Sequence, residues 1–331
     1  MPSLYLTEKG SSLGVEGECF KVTVDDIIKT IPVIKVDSVI VFGSCNISTK
    51  AIEVLLEEQI STTFLSNNGR YYGRLISTEE KNIELRMQQT DKYKDEKFRL
   101  YFAKQIVRGK ILNSAYLLKN LNRTGKLERA VEIINDLYGL VDSLEKAEQL
   151  DSVRGYEGSA SVKYFEAMRL LLKDTFGFDH RNRRPPKDPI NSMLSFLYTL
   201  LMYQVYAAVN ITGLDVALGF FHDYKNHRPA LALDLMEEFR SLLADQVVFD
   251  MVNHNMVNAS DFHTDESEKY AVLINNDLRK KIIKKFETRI KTSIVYKGEN
   301  ISYRRLLEYK ARELAGSIKK DSNNYEPFIQ I

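Results

Sequence analysis

The chain changes its periodicity once, near residue 80, and that change sets its architecture. Before it, short β-branched and aromatic runs are separated by turn residues, the pattern of strands. After it, apolar residues recur at helical spacing almost to the end. The reading is an α+β chain: a small, twisted N-terminal β-sheet domain over residues 1–80, then a large all-α C-terminal domain over 81–331. At 331 residues the chain exceeds what one compact core usually holds, which agrees with two domains.

In the first part, Leu4–Leu6, Lys21–Val24, Val39–Phe42 and Ile60–Leu65 read as strands. Ile47–Gln59 reads as a short helix with Asn46 or Ser48 as its cap and Ile52, Leu55 and Leu56 on one face. Ser66–Arg70 carries an Asn-Gly turn ahead of Tyr71–Leu75, a hairpin signal. The expected result is a largely antiparallel sheet with one inserted helix and no catalytic grouping. In the second part, helices are expected over 79–122, 127–150, 153–176, 189–210, 229–243, 267–290 and 302–318.

Composition excludes several classes. Hydrophobic residues at 44% and charged residues at 28% describe an ordinary globular chain. No apolar run approaches the ~18–20 residues that span a bilayer, and the N-terminus lacks a basic-then-apolar signal. Two cysteines, Cys19 and Cys45, form no metal spacing and fit a reducing cytoplasm. A net charge of +2 means that any nucleic-acid surface must be local.

The densest chemistry lies in Gly219–Arg240. His222 and His227 stand in a polar, aromatic loop that runs through Arg228-Pro229 into a helix. On that helix Asp234, Glu237 and Glu238 stand at i, i+3 and i+4 and share a face, among Leu231, Leu233, Leu235, Met236 and Phe239. Carboxylates in such apolar company need a cation, an arginine or a metal, and His222 offers a nitrogen ligand. Elsewhere, Glu157 lies between Gly155 and Gly158 at the expected start of a helix, where small residues permit close approach. A proline-stiffened loop carries Arg181, Arg183, Arg184 and Lys187, forks suited to phosphate. Between Arg279 and Lys291 seven basic residues face one acid, Lys281, Lys284 and Lys285 among them, while Ile282, Ile283, Phe286 and Ile290 occupy the other face.

In order along the chain, Arg154-Gly155-Tyr156-Glu157-Gly158, Asn182-Arg183-Arg184-Pro185-Pro186 with Asp188–Asn191, Leu194–Tyr198, Gly219–His222 and Leu231–Arg240 resemble the CRISPR-associated integrase family, the universal spacer-acquisition endonuclease. Lys110–Asn113 and the tail Tyr325–Phe328 match as well. The opening segment is most similar to the subgroup of type I systems of the C kind.

The resemblance implies a metal-dependent DNA integrase that joins the 3′-OH ends of foreign DNA into a CRISPR repeat by transesterification. It places the metal ligands at Glu157, His222 and Glu237 and a supporting acid at Asp234, with Glu238 a competitor to Glu237. It implies Mg²⁺ or Mn²⁺, the histidine tilting preference towards Mn²⁺. It also implies homodimers, two of which flank a dimer of a small ferredoxin-like second protein in a heterohexamer-type complex. The N-terminal sheet is expected to carry the dimer contact. A general metal-dependent nuclease and a non-catalytic DNA-binding scaffold are the alternatives.

Overall fold

The computed structural model describes residues 3–67, 69, 71–75, 77, 82–183, 185–226, 228–267 and 269–330. The chain divides into two compact units, Met1–Glu80 and Lys81–Ile331.

The first unit holds strands β1 (Ser3–Leu6), β2 (Ser11–Glu16), β3 (Cys19–Val24), β4 (Ile27–Pro32), β5 (Ser38–Phe42), β6 (Cys45–Ile47), β7 (Ser61–Leu65) and β8 (Tyr71–Leu75). Helix α1 (Thr49–Glu57) lies between β6 and β7. The strands form two sheets, β1-β5-β7-β8 and β4-β3-β2-β6, rather than one largely antiparallel sheet. Pairs β1–β5, β5–β7 and β2–β6 are parallel; between β5 and β7 the chain passes through α1, a crossover that a tight turn cannot make. Ser48 is the cap of α1, accepting from Ala51 N at 3.1 Å. β7 and β8 pair antiparallel as the hairpin signal predicts; Asn68 and Arg70 of that turn lie outside the described residues. Phe20, Leu13, Val39, Val41, Ala51 and Leu55 make the unit's core. Strand β4 is an edge whose Ile27 and Ile28 are 63% and 54% exposed.

The second unit is mostly helical: α2 (Ile83–Lys94), α3 (Glu96–Leu121), α4 (Glu128–Glu145), α5 (Leu150–Leu171), α6 (Pro189–Thr212), α7 (Ala230–Met236), α8 (Gln246–Asn253), α9 (Asn276–Ile290) and α10 (Tyr303–Lys319). The helix expected over 79–122 is broken at Asp95, whose extended backbone lets its carboxylate accept from Lys97 N and Phe98 N and cap α3. Two short hairpins interrupt the helices, β9 (Phe262–Asp265) with β10 (Ala271–Ile274) and β11 (Ser293–Tyr296) with β12 (Glu299–Ser302). The helix expected over 267–290 therefore starts only at Asn276, with Asn275 capping Leu278 N at 2.8 Å.

α3 packs on α4 and α5, and α6 runs against α7 and α10. α6 corrects the expectation that no apolar run is long enough to span a bilayer: its 24 residues pass by length and composition. It is a core helix, with 67% of its most apolar window buried. Asp188 caps it through Asn191 N at 2.8 Å, Pro189 opens it, and Gly213 at φ +84° ends it.

Candidate active site

Glu157 is on α5, which begins at Leu150, so the acid stands two turns inside the helix and not at its start. Gly155 and Gly158 meet no neighbouring atom within 4 Å where a Cβ would be. They cost helix stability and leave the surface beside Glu157 bare. One turn on, Ser161 Oγ donates to Glu157 Oε1 at 3.0 Å.

His222 lies in the loop between α6 and α7. Phe220 seats this loop by packing edge-on against Phe98 and Phe102 of α3. Asp234, fully buried on α7, then gathers the loop's polar groups. Its Oδ2 accepts from Phe220 N at 2.6 Å and Phe221 N at 3.0 Å. Its Oδ1 accepts from His222 N at 2.8 Å and lies 2.8 Å from His222 Nδ1. A carboxylate only accepts, so Nδ1 carries a ring proton, and in the neutral ring Nε2 keeps its lone pair. Nε2 is 4.0 Å from Glu237 Oε1. The loop can come this close because residue 219 is glycine: a Cβ there would lie 2.7 Å from Ala230 C and 2.8 Å from Asp234 Oδ2.

The helix expected over 229–243 does not keep one winding. It is α to Met236, tightens to a 3₁₀ turn at Glu237–Phe239, widens to a π turn at Arg240–Asp245 and resumes as α8. Glu237 and Glu238 point apart, the first to Lys110 and Arg240 and the second to Phe328 N, so the single acidic face expected for Asp234, Glu237 and Glu238 does not form.

Glu237 faces inward. Arg240 Nη2 is 2.9 Å from its Oε1, and Lys110 Nζ of α3 is 2.9 Å from its Oε2. The Lys110 contact lacks hydrogen-bond direction and leaves Oε2 without a hydrogen-bond partner. Lys110 also contacts Glu157, so one ammonium stands between the two carboxylates. Burial opposes ionisation of Glu237, but Arg240, Lys110 and His222 outweigh it and hold its carboxyl at about 2. Burial likewise opposes ionisation of Glu157, and Lys110 brings it below the usual carboxylate range despite Glu237.

Glu238 turns to the C-terminal tail. Tyr325 Oη and Phe328 N donate to it, the latter at 2.7 Å. Burial pushes its carboxyl up to about 7. Asn113 Nδ2 ties the Glu238 carbonyl and the Phe328 carbonyl together, each at 2.8 Å. Gly109 admits the tail, since a Cβ there would lie 2.7 Å from Pro327 Cβ. Glu238 is a tail anchor directed away from Glu157, and Glu237 is the acid that faces it.

The basic residues divide. Arg181 turns inward, donating to Asn191 Oδ1 at 2.7 Å and Ser195 Oγ at 3.1 Å, with Tyr198 beneath its guanidinium. It latches the proline loop to α6 and is not a free phosphate fork. Arg183 is exposed and lines a pocket shared with Lys110, Ser161, Tyr164, Tyr198 and Arg240. Lys187 is exposed and bonds the Lys269 carbonyl. Lys281, Lys284 and Lys285 are exposed along α9, over the buried Ile282, Ile283 and Phe286. Arg184 and His227 lie outside the described residues. Sequence reasoning gave no site role to Lys110, Arg240, Ser161 or Asp245. Arg240, i+3 from Glu237, was open to the same spacing argument that picked out the acids.

The architecture is shared with two solved structures. The chain superposes on a casposase bound to integration product with a TM-score of 0.87 at 24% identity, over 98% of this chain and 93% of that one. It superposes on a chain of a Cas6-RT-Cas1–Cas2 complex with a TM-score of 0.85 at 24% identity, over 100% of this chain and 36% of that longer one. The sequence is more specific. The family model for CRISPR associated protein Cas1 matches residues 4–288. The CRISPR-associated endonuclease Cas1 3 of Thermus thermophilus is 34% identical over 326 residues, 98% of this chain and 94% of that relative. This chain belongs to the CRISPR-associated protein Cas1 family.

Proposed function

We propose that this chain is the DNA-joining enzyme of CRISPR adaptation, inserting the free 3′-OH ends of foreign DNA into a CRISPR repeat. The observation that carries the reading is the Asp234 carboxylate, which fixes the His222 loop and leaves Nε2 as a lone-pair donor beside Glu237. The donor set fits a divalent cation. It comprises two carboxylates, kept ionised by their surroundings, and one imidazole in the ligating tautomer. Lys110 Nζ already supplies one positive charge between the acids, and buried Glu237 Oε2 has no hydrogen-bond partner. No ready-made group of three ligands is closed around a point among the described residues, so Lys110 is the group that would yield to the ion.

Glu157, His222 Nε2 and Glu237 would hold Mg²⁺ or Mn²⁺. When bound, such an ion supplies Lewis-acid activation of the scissile phosphate and charge stabilisation of the leaving 3′ oxygen. The chain's own groups do the rest. Asp234 holds His222 in one tautomer, Arg240 holds Glu237 in place, and Lys110 and Arg183 present positive charge to phosphate oxygens. The attacking 3′-OH comes from the incoming strand in line with the leaving oxygen, so no protein nucleophile is consumed. With water as the attacking group, the same arrangement cuts DNA. Lys281, Lys284 and Lys285 supply sequence-independent, salt-sensitive affinity. The working assembly pairs two copies of this chain through the first unit and adds a small second CRISPR-associated protein, because two strand transfers need two sites. Free Cys19 and Cys45 suit the reducing cytoplasm in which such an assembly would act.

The test is strand transfer of a short duplex into a repeat-bearing plasmid with Mn²⁺ and the small partner protein. Wild type, His222→Ala, Glu237→Ala and Glu238→Ala are compared, with folding followed by circular dichroism. Joined product that disappears in folded His222→Ala and Glu237→Ala carries the reading. Cutting without joining by wild type makes the chain a plain nuclease, and joining by Glu237→Ala removes that acid from the ligand set.

A further inference from the structure

The segment after α10, residues 322–330, has no regular secondary structure, yet Tyr325 is fully buried and Phe328 nearly so. An irregular stretch stays buried only if its polar groups find partners, and here the partners come from α3 and α10. Tyr101 Oη of α3 donates to Tyr325 O at 2.6 Å. Lys310 of α10, itself buried, donates to Glu326 O and stands 4.1 Å from the Tyr325 ring centre. Gln330 N donates to Asn113 Oδ1 of α3 at 2.8 Å. Phe328 stacks on Phe239 and meets Tyr303 edge-on, which fixes its ring.

What this segment grips lies next to the ion bridge of the site. Glu238, whose carboxyl accepts from Tyr325 Oη and Phe328 N, is the neighbour of Glu237. Asn113, which ties Glu238 O to Phe328 O, is one turn after Lys110 on α3. Gly109, just before Lys110, lets the two elements close: a Cβ there would lie 3.0 Å from Glu238 Cγ as well as 2.7 Å from Pro327 Cβ. The seam between α3 and the Glu237–Phe239 turn is thus closed on the residues that flank Lys110 and Glu237, whose Nζ and Oε2 are 2.9 Å apart. A shift of the turn along α3 would carry Glu237 past Lys110. It would also break the bonds to Glu238 and leave buried polar groups unpaired, which opposes the shift.

We propose that residues 325–330 are a positioning clamp for the site: by holding Glu238 to Asn113 they set the spacing of Glu237 from Lys110 and Glu157, and so the affinity for the divalent ion. The proposal rests on the DNA-joining reading and deepens it, because it makes ion affinity a property of a segment that supplies no ligand. Tyr325, Glu238 and Asn113 are positioning residues that act through Glu237.

The experiment is titration of Mn²⁺ into the full chain at fixed pH, followed by the electron paramagnetic resonance signal of free Mn²⁺, with Tm from circular dichroism. Tyr325→Phe keeps the ring and removes the donor, and Glu238→Ala removes the grip. Glu238→Gln keeps an acceptor for Phe328 N and can donate to the Tyr325 oxygen. Tyr325→Phe and Glu238→Ala should bind Mn²⁺ about tenfold more weakly, and Glu238→Gln should stay within about twofold of wild type. Strand transfer by Tyr325→Phe should need correspondingly more Mn²⁺ and reach the wild-type rate at saturation. Ile133→Val, in the core under α4, is the control for lost stability and should lower Tm without moving Mn²⁺ affinity. Wild-type Mn²⁺ affinity in folded Tyr325→Phe and Glu238→Ala overturns the clamp, as does an equal loss in Ile133→Val. If Glu238→Ala does not fold, Tyr325→Phe decides alone. Wild type that binds no Mn²⁺ removes the metal-dependent reading itself, and the clamp with it.

Discussion

His222 is positioned by a residue that cannot be recognised as its partner from helical spacing alone. Asp234 stands twelve positions later, and only the folded loop brings three backbone amides and Nδ1 to its two oxygens. Asp234→Asn keeps an acceptor but adds a donor, which disturbs the ring's tautomer. Strand-transfer rate should fall by about 10- to 100-fold with the chain still folded, read by single-turnover assay beside a circular dichroism spectrum. A wild-type rate in that variant would free His222 from Asp234. Asp245 gives a separate residue-scale test. Burial pushes its carboxyl up to about 6 from 3.8, against the bond from Tyr164 and the charges of Arg240 and Arg181. A raised acid pKa means that the folded chain holds its proton more tightly than the unfolded chain. Its contribution to stability is thus full below about 3.8 and is lost as the pH rises through about 6. Asp245→Asn should flatten the slope of Tm against pH between those values, and an unchanged slope would assign it to other groups. Glu157, His222, Asp234 and Glu237 were singled out in the sequence, their roles through the family resemblance, and the fold brings Glu157 and Glu237 to one lysine and His222 to Asp234. Lys110 and Asp245 were given no role, because a lysine in a long amphipathic helix and an acid in an apolar run reveal their surroundings only once α3, α5 and the 237–245 segment pack together.

Among the elements, α5 shows a local rule broken without a packing reason inside the described fold. Gly155 and Gly158 sit mid-helix with nothing near their missing Cβ atoms. Gly155→Ala should therefore stabilise the chain by about 0.5–1 kcal/mol, measured by urea unfolding; a loss of stability would reveal a contact at that face. Gly219 is the opposite case. Gly219→Ala drives a Cβ into the Ala230 backbone and should destabilise by about 1–3 kcal/mol in the same assay. Helix existence was legible from periodicity through α3, α4, α5, α6 and α10. Boundaries were lost where one capping side chain decides them, as Asp95 does before α3 and Asn275 before α9. The switch from α to 3₁₀ to π after Met236 has no signature in composition, so the sequence places Glu237 and Glu238 on one face that the backbone then divides.

For the whole molecule, the two-unit division follows the change of periodicity near residue 80. The mixed sheets of the first unit were not legible, because short β-branched runs do not reveal whether neighbours run parallel or antiparallel. In the proposed pairing of two copies, the exposed Ile27 and Ile28 on edge strand β4 are apolar surface that a second copy would cover. Deleting residues 1–75 should yield monomers or insoluble protein. Light scattering that finds a well-folded dimer in the truncated chain would place the contact in the second unit.

The uneven winding after Met236 also says something about descent. A π turn is what a helix becomes when it absorbs one residue too many without losing its neighbours. Here that turn follows the 3₁₀ turn that carries Glu237 and ends at Asp245. Removing one residue from 240–245 would let the helix relax to even winding, but it would rotate everything upstream by roughly 100° relative to α8. Glu237 or the tail's grip on Glu238 would then lose its register. Length in this short stretch is therefore under tighter constraint than side-chain identity, and relatives should differ here by substitution far more readily than by insertion or loss.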